Sequence, residues 1–236
     1  MSTARVAAYS AAAVRAAEAP LLAEGRPLMR EAASALASVV RAELRTRPGR
    51  VLVLVGSGDN GGDALFAAAE FAAVADGVDV VLTRDRVHRE SLAAARAAGA
   101  VIRPASDICE GAADYALVLD GILGIGASAD PRLRGTARAV VEALLPAVTS
   151  GRTRVIAVDL PSGLHPDTGD ADASVLPAHT TVTFGAVKAG LVRGHGPRLA
   201  GRIRLVDLGL QPHLQRVQPA TTAPVDIQTI PATQPA

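Results

Sequence analysis

The chain has 236 residues, and its 24 Lys and Arg residues nearly balance its 23 Asp and Glu residues, which gives a formal net charge of +1 at pH 7. This length supports one sizeable core rather than two separate domains. The balanced charge, the 2% aromatic content and the lack of any apolar run near the ~18 residues of a membrane span lead us to expect neither nucleic acid nor a membrane as a partner.

Two helices are predicted at the start of the chain, where apolar residues recur at helical spacing. They run from Ser10 to about Glu24 and from Pro27 to about Arg45, inside an N-terminal helical region of about residues 10–47. Beyond this region, apolar segments alternate with helical ones. Strands are predicted at 51–55, 78–82, 101–103, 115–119, 154–158, 180–184 and 202–206, and helices at about 62–74, 88–98 and 133–148.

This alternation predicts an α/β fold. The run from Val51 to Val55 is apolar on both faces, which is typical of a parallel strand covered by helices. Strands separated by helices of this length form right-handed crossovers, so we expect a three-layer α/β/α Rossmann-like sandwich with a mostly parallel sheet. Residues 1–210 are predicted to form a single domain. Residues 211–236 are rich in Gln, Pro, Thr and Ala without periodicity, and we expect them to be a disordered tail.

A glycine-rich segment follows the strand at 51–55. Residues 56–61 have the G-x-G-x-x-G spacing that lets a backbone approach a phosphate at a helix N-terminus. However, Asp59 and Asp63 put carboxylates where phosphates would lie, and the residues about 20 positions later, Arg84 and Asp85, supply no clear ribose-binding acid. A glycine-rich turn that merely caps the helix remains the alternative.

Two further strands end in polar side chains. Asp120 follows the strand at 115–119, and Asp159 and Ser162 follow the strand at 154–158. The carboxyl ends of parallel strands meet at one edge of a sheet, so we expect these side chains to converge with Asn60. Their oxygens suit a hard cation, whereas the five histidines and one cysteine show no zinc spacing. A cap or turn role is the alternative for Asp120.

Four motifs taken together resemble the NAD(P)H-hydrate epimerase family, the YjeF N-terminal domain. They are GSGDNGGDAL at 56–65, VLDGILGIG at 118–126, VDLPSGL at 158–164 and TVTFGAVKAGL at 181–191. The resemblance implies an isomerase of cofactor repair that interconverts the R and S epimers of hydrated NADH and NADPH. It also implies one potassium ion per subunit, a homodimer, and a separate NAD(P)H-hydrate dehydratase as the functional partner.

The resemblance assigns residues to this site. It implies Asn60, Asp120 and Ser162 as potassium ligands. The residues implied to contact substrate are Asp59, Asn60, Gly61, Gly62, Asp63, Gly124, Ile125, Gly126, Ala127, Ser128, Ala129, Asp130 and Asp159. For catalysis we predict Asp120, shared with Asp159, as the acid and base at the C6 hydroxyl.

The chain departs from the family pattern at three positions. Asp59 stands where Asn is usual, and Ala64 where Gly is usual. His179 stands where Asp is usual, which we expect to remove a carboxylate from substrate positioning or catalysis.

Two residues stand out because each is the only one of its type. Lys188 is the one Lys beside 23 Arg, and it matches a Lys of the family pattern, so we predict a specific catalytic or structural role for it in the site. A solvated surface Lys is the alternative. Cys109 cannot form an internal disulfide, which fits a reducing, cytoplasmic location, and we expect it to be buried.

Two other classes of function stay open at this point. The same fold could serve as a non-catalytic nucleotide-binding or scaffold module, although the retained Asn60, Asp120, Asp159 and Ser162 argue against a lost site. An NAD(P)-dependent oxidoreductase would use the glycine-rich loop with Arg84 on a 2′-phosphate, yet no Tyr-x-x-x-Lys or catalytic His suggests hydride transfer.

Overall fold

A computed structural model of the chain describes residues 5–111, 115–126 and 130–232. The helices are α1 (Ala11–Ala23), α2 (Leu28–Thr46), α3 (Asp59–Phe71), α4 (Arg89–Ala97), α5 (Ala105–Gly111), α6 (Gly135–Thr149), α7 (Gly196–Leu199) and α8 (Gln211–Leu214). The strands are β1 (Arg5–Ala8), β2 (Arg50–Val55), β3 (Val78–Leu82), β4 (Val101–Ile102), β5 (Tyr115–Gly121), β6 (Arg154–Val158), β7 (Thr180–Phe184), β8 (Arg202–Asp207), β9 (Thr221–Pro224) and β10 (Ile227–Pro231). Within these ranges no helix is long and apolar enough to cross a membrane.

Eight parallel strands form the central sheet, in the order β10-β8-β7-β6-β5-β2-β3-β4. Both of its faces are covered, which explains the continuous apolar run of β2. Val53 belongs to a core shared with α1, α2 and α3, whereas Leu54, its neighbour in the strand, packs with α5 and α6. The predicted three-layer α/β/α architecture is confirmed.

The strand order reverses beside β2. The chain runs outward from β2 through β3 and β4, then returns to the other side of β2 as β5. Such a reversal leaves a crevice beyond the carboxyl ends of the two strands, where open α/β sheets bind ligands. Glycine lets the two loops meet there, because a Cβ on Gly56 would stand 1.8 Å from the carbonyl oxygen of Ile122.

The structure differs from the prediction after residue 210. Instead of a disordered tail, β10 pairs in parallel with β8 over five residue pairs, and β9 pairs antiparallel with β1. The side chains of β9 and β10 are half-buried or exposed, so they carry little apolar periodicity. Their order comes from backbone pairing with strand edges that lie far away in the sequence.

Cys109 also differs from the prediction. It is exposed on α5, whereas the preceding residue, Ile108, is buried in the core between α5, α6 and the sheet. Adjacent residues on a helix point in different directions, so an apolar neighbour did not imply burial of the thiol.

Candidate active site

A cleft of about 1200 Å³ lies beyond the carboxyl ends of the central strands. Its walls come from α1 and from residues 56–60, 83–86, 122–126 and 132–134, with Asp159 and Phe184 also lining it. Small-molecule sites commonly measure about 300–1,000 Å³. The cleft is therefore large enough for a molecule of dinucleotide size.

Asp120 lies beneath the cleft rather than in its wall. It is 1% exposed, and among the described residues it is not part of the cleft lining. One carboxylate oxygen accepts the Ser162 hydroxyl at 2.6 Å, and the other accepts the Ser162 N–H at 2.9 Å. Burial raises the pKa of Asp120, while the hydrogen bonds from Ser162 and Ile122 oppose that rise. The carboxyl thus fixes the turn that follows β6.

The three predicted potassium ligands, Asn60, Asp120 and Ser162, lie close together. The Asn60 amide, in the first turn of α3, donates to the Leu123 carbonyl oxygen at 3.0 Å, and the Leu123 N–H donates to Ser162 Oγ at 2.9 Å. Gly124 leaves room for the amide, since a Cβ there would stand 3.1 Å from Asn60 Oδ1. The atoms of these three residues that would bind a metal are all oxygens, the type that a hard cation prefers. Within 5–111, 115–126 and 130–232 there is no group of three or more His, Cys, Asp or Glu side chains that could hold a metal.

Asp159 has an unusual backbone. Its φ is +68°, and in the described ranges it is the one non-glycine residue with a positive φ. The Leu160 N–H donates to the Val158 carbonyl at 2.8 Å, which closes a three-residue γ-turn around Asp159. A conformation of this kind costs on the order of 1–3 kcal/mol and persists only where its surroundings enforce it. Here the turn coincides with a buried carboxyl that lines the cleft.

The surroundings that hold Asp159 centre on Lys188. The Lys188 ammonium is 1% exposed and forms a salt bridge with Asp159 Oδ1. It also donates to the Phe184 carbonyl at 2.8 Å and to Thr183 Oγ1 at 3.2 Å. The same Asp159 oxygen accepts from the Thr183 hydroxyl at 3.2 Å and from the Phe184 N–H at 3.3 Å. The one lysine of the chain is thus the cation of a buried ion pair and not a surface residue.

Further carboxyl groups approach this pair from α1 and α3. The Asp63 side chain is 8% exposed, lines the cleft, and makes no hydrogen bond or ion pair within the described part of the chain. Burial, then the charges of Asp159 and Asp59, raise the pKa of Asp63 well above its usual value. Burial also raises the pKa of Glu18. The cleft therefore places two carboxyl groups with raised pKa values, those of Asp63 and Glu18, beside the pair of Asp159 and Lys188.

Glu18 is a cleft residue that the sequence pattern did not predict. It lies on α1 three residues after Arg15, whose guanidinium donates to the Ile125 carbonyl at 2.6 Å, and both residues line the cleft. In the sequence, Glu18 is visible only as an acidic residue on an Ala-rich predicted helix. The position of α1 over the sheet edge depends on tertiary packing, which the sequence pattern does not contain.

Residues 25–190 match the family described as YjeF-related protein N-terminus. The match covers well over half of the chain. The chain belongs to this family.

Named relatives in the family cover nearly all of the chain. It is 69% identical over 226 residues to the NAD(P)H-hydrate epimerase of Microbacterium testaceum, which is 96% of this chain and 88% of the relative. It is 54% identical over 209 residues to the NAD(P)H-hydrate epimerase of Clavibacter michiganensis, covering 86% and 90%. The bifunctional NAD(P)H-hydrate repair enzyme Nnr of Mycobacterium leprae is 43% identical over 210 residues, and the chain covers 41% of that protein.

The fold is also similar to a solved structure. The crystal structure of yeast YNL200c aligns with a TM-score of 0.65 at 18% identity, covering 78% of this chain and 82% of that chain. This likeness shows the shared fold.

The segments that family resemblance assigns to substrate lie only partly at the cleft. Its lining includes Asp59, Asn60, Asp63, Gly124, Ile125, Gly126 and Asp159. Gly61 and Gly62 are instead packed inside, because a Cβ would stand 2.4 Å from the Gly56 carbonyl at Gly61 and 3.0 Å from Met29 Sδ at Gly62. Ala127, Ser128 and Ala129 lie outside the described residues.

Asp130 is held by arginines next to the cleft. Its carboxylate accepts from Arg132 Nε at 2.8 Å and pairs with Arg134, and hydrogen bonds from Arg132 lower its pKa. Asp130 thus places two guanidinium groups at the cleft wall, which both of these arginines line.

The departures from the family pattern fall in different places. Asp59 lines the cleft, and Ala64 is buried against Gly121. His179 directly precedes β7, at the amino end of that strand, so it lies at the opposite sheet edge from the cleft. Burial and the neighbouring Arg154 lower its pKa. The expectation that this departure removes a carboxylate from the site is wrong, because position 179 does not face the cleft.

Proposed function

We propose that the chain is an NAD(P)H-hydrate epimerase, an isomerase that interconverts the R and S epimers of hydrated NADH and NADPH. The observation that carries this proposal is the buried pair of Asp159 and Lys188 at the wall of a dinucleotide-sized cleft. Two relatives that carry this name match it over 96% and 86% of its length, which supports the same conclusion.

The reaction needs one proton donor and one proton acceptor. The hydrated cofactor carries its hydroxyl at C6, next to the ring nitrogen. Protonation lets this hydroxyl leave as water while the nitrogen lone pair forms a conjugated iminium. A water molecule then adds to the opposite face of C6 and loses a proton. One water leaves and one enters, so no atom is gained overall and no electron is transferred.

Two carboxyl groups in the cleft match these roles. Asp159 accepts hydrogen bonds from Lys188, Thr183 and Phe184, and this geometry suits the base for the incoming water. Asp63 is buried, no group in the described ranges donates a hydrogen bond to its carboxyl, and its raised pKa suits the acid for the departing hydroxyl. Placing two carboxyl groups in different environments is a general way of dividing acid and base roles.

The acid and base roles are therefore assigned to Asp63 and Asp159 and not to Asp120. Its burial beneath the cleft and its two hydrogen bonds from Ser162 support a positioning role, with Lys188 acting likewise on Asp159. We further propose that Asn60, Asp120 and Ser162 hold a potassium ion together with backbone carbonyls, as the oxygen-only donor set supports. When bound, the ion would supply positive charge near the loop that faces the substrate phosphates.

Three further properties belong to the same proposal. We expect a homodimer and a cytoplasmic location, the latter supported by a nicotinamide cofactor substrate and one unpaired cysteine. We also expect a separate NAD(P)H-hydrate dehydratase to work with this enzyme. The relative named as a bifunctional repair enzyme supports this pairing, because 59% of its length lies beyond the part that this chain matches (100 − 41 = 59).

Chromatography of the purified R epimer of hydrated NADPH tests the function. The wild type is expected to form the S epimer far faster than buffer does, without NADP⁺. Asp159→Asn should lower the rate by about 100-fold or more, as loss of a general base commonly does. Asp76→Asn, on an exposed loop before β3 at the other sheet edge, is the matched control and should turn over normally. Conversion no faster than buffer would refute the epimerase, and NADP⁺ formation would indicate the oxidoreductase alternative.

A further inference from the structure

Two arginines in the loop after β3 have no partner among the residues that the structure describes. Residues 83–86, here called the β3 loop, line the cleft. Thr83 anchors this loop, since its N–H and its hydroxyl both donate to the Val55 carbonyl at 2.9 Å. Arg84 and Arg86 are exposed, and within residues 5–111, 115–126 and 130–232 their guanidinium groups make no hydrogen bond or ion pair.

The other arginines of the cleft are already engaged. Arg132 and Arg134 bind Asp130, and Arg15 donates to the Ile125 carbonyl. Of the cleft arginines in the described ranges, those of the β3 loop are therefore the ones that no other group of the protein engages. Asp85 lies between them, which leaves the loop with one net positive charge.

The sheet order indicates which part of a dinucleotide reaches this loop. The proposed base, Asp159, follows β6, and the glycine-rich segment follows β2, with α3 beginning inside that segment at Asp59. β3 lies on the far side of β2, three strands from β6. At about 4.8 Å per strand, this is a distance of about 14 Å. With the hydrated ring near β6 and the pyrophosphate at the start of α3, the adenosine ribose lies over β3.

The residues after this strand distinguish the two cofactors in dinucleotide-binding folds. An acidic residue there accepts the ribose 2′-hydroxyl, whereas an arginine accommodates a 2′-phosphate. We propose that Arg84 and Arg86 bind the 2′-phosphate of hydrated NADPH and make this enzyme prefer hydrated NADPH to hydrated NADH. The inference rests on the proposed function, because it assumes the substrate class.

The expected effect is selective for one substrate. Hydrogen bonds from a guanidinium to phosphate are charge-assisted, and loss of one commonly costs about tenfold or more in affinity. Arg84→Ala and Arg86→Ala should each lower kcat/KM for hydrated NADPH by about tenfold, and the double variant by about 100-fold. The value for hydrated NADH should change by less than about twofold. Asp85→Asn should act in the opposite direction, since it removes a repelling carboxylate.

The experiment compares both substrates with each variant. Arg89→Ala, an exposed arginine at the start of α4 that does not line the cleft, is the matched control and should change neither value. Melting temperatures should be unchanged, because neither loop arginine loses a hydrogen bond or ion pair to the described part of the chain. An equal fall with both substrates, or no fall with either in the double variant, would overturn the proposal.

A binding measurement separates this inference from the proposed function. Calorimetry with adenosine 2′,5′-bisphosphate and with AMP requires no turnover. The bisphosphate should bind the wild type at least about tenfold more tightly than AMP, and the double variant should lose this difference. If the wild type converts neither hydrate yet shows this difference, the proposed function fails and the 2′-phosphate site stands. Equal binding of the two probes overturns the 2′-phosphate site, whatever the turnover.

Discussion

Replacing Lys188 with Met removes the cation from the buried pair with Asp159. Met matches the stem of Lys in length but carries no charge. The substitution leaves the Asp159 carboxylate with the Thr183 hydroxyl and the Phe184 N–H as its remaining donors, and it leaves the Phe184 carbonyl without the ammonium. Asp159 is 5% exposed and Phe184 is 6% exposed, so water reaches these groups only from the cleft and replaces only part of what is lost.

The cost follows from leaving one charge unpaired in the interior. Removing one member of a buried ion pair commonly costs about 3–5 kcal/mol. For a chain of this size, each kcal/mol lowers Tm by about 2–4 °C, so the fall in Tm should be roughly 6–20 °C. The double variant Asp159→Asn with Lys188→Met removes both charges and should be less destabilised than the sum of the two single variants, by about 1–3 kcal/mol.

Circular dichroism is the signal for both measurements, since the chain has no Trp for fluorescence. Urea unfolding gives the free energies of unfolding, and thermal unfolding gives Tm. Lys188→Arg is the conservative comparison. It keeps the charge but forces a larger planar group into a filled site, and it should still cost about 1–3 kcal/mol. The reasoning is refuted if Lys188→Met lies within about 1 kcal/mol of the wild type, or if the two single effects simply add.

Three further perturbations follow from the site. Asp63→Asn should stabilise the protein more at pH 8 than at pH 5. The reason is that a carboxyl whose folded pKa is raised contributes stability at low pH, and this stability is lost as the pH rises through that value. Urea unfolding that gives the same free-energy difference between variant and wild type at both pH values would contradict this. Gly56→Ala should cost about 3 kcal/mol or more, since its Cβ would meet a backbone oxygen, whereas Gly58→Ala has open space and should be tolerated in the same assay. Potassium chloride should raise Tm above that in choline chloride, and Ser162→Ala should abolish the difference; an equal Tm in both salts for the wild type would argue against the ion site.

Most regular elements of the sheet could be predicted because their apolar pattern is local. The predicted strands at 78–82, 154–158 and 180–184 agree with β3, β6 and β7 in both bounds. The missed strands, β1, β9 and β10, are short and partly exposed, and each is ordered by a partner distant in the chain. Nothing in their own sequences indicates that pairing.

The sequence predicted which residues form the candidate site, but not which of them reach the cleft and which lie beneath it. Asp120 and Asp159 look alike in the sequence, since each directly follows a buried apolar run. Their roles separate because Ser162 folds over Asp120, whereas the γ-turn at Asp159 presents its carboxyl to Lys188 and the cleft. That contact joins residues 29 positions apart through the pairing of β6 with β7, which a linear pattern does not contain.

Epimerisation in water enriched in oxygen-18 tests the central claim most directly. If the C6 hydroxyl leaves as water and solvent adds to the other face, each S epimer formed by the enzyme from the R epimer of hydrated NADPH carries one oxygen-18 atom. Mass spectrometry of the separated epimers should show this label appearing at the rate of inversion. An S epimer that forms with its original oxygen, or no faster than in buffer, would contradict the account.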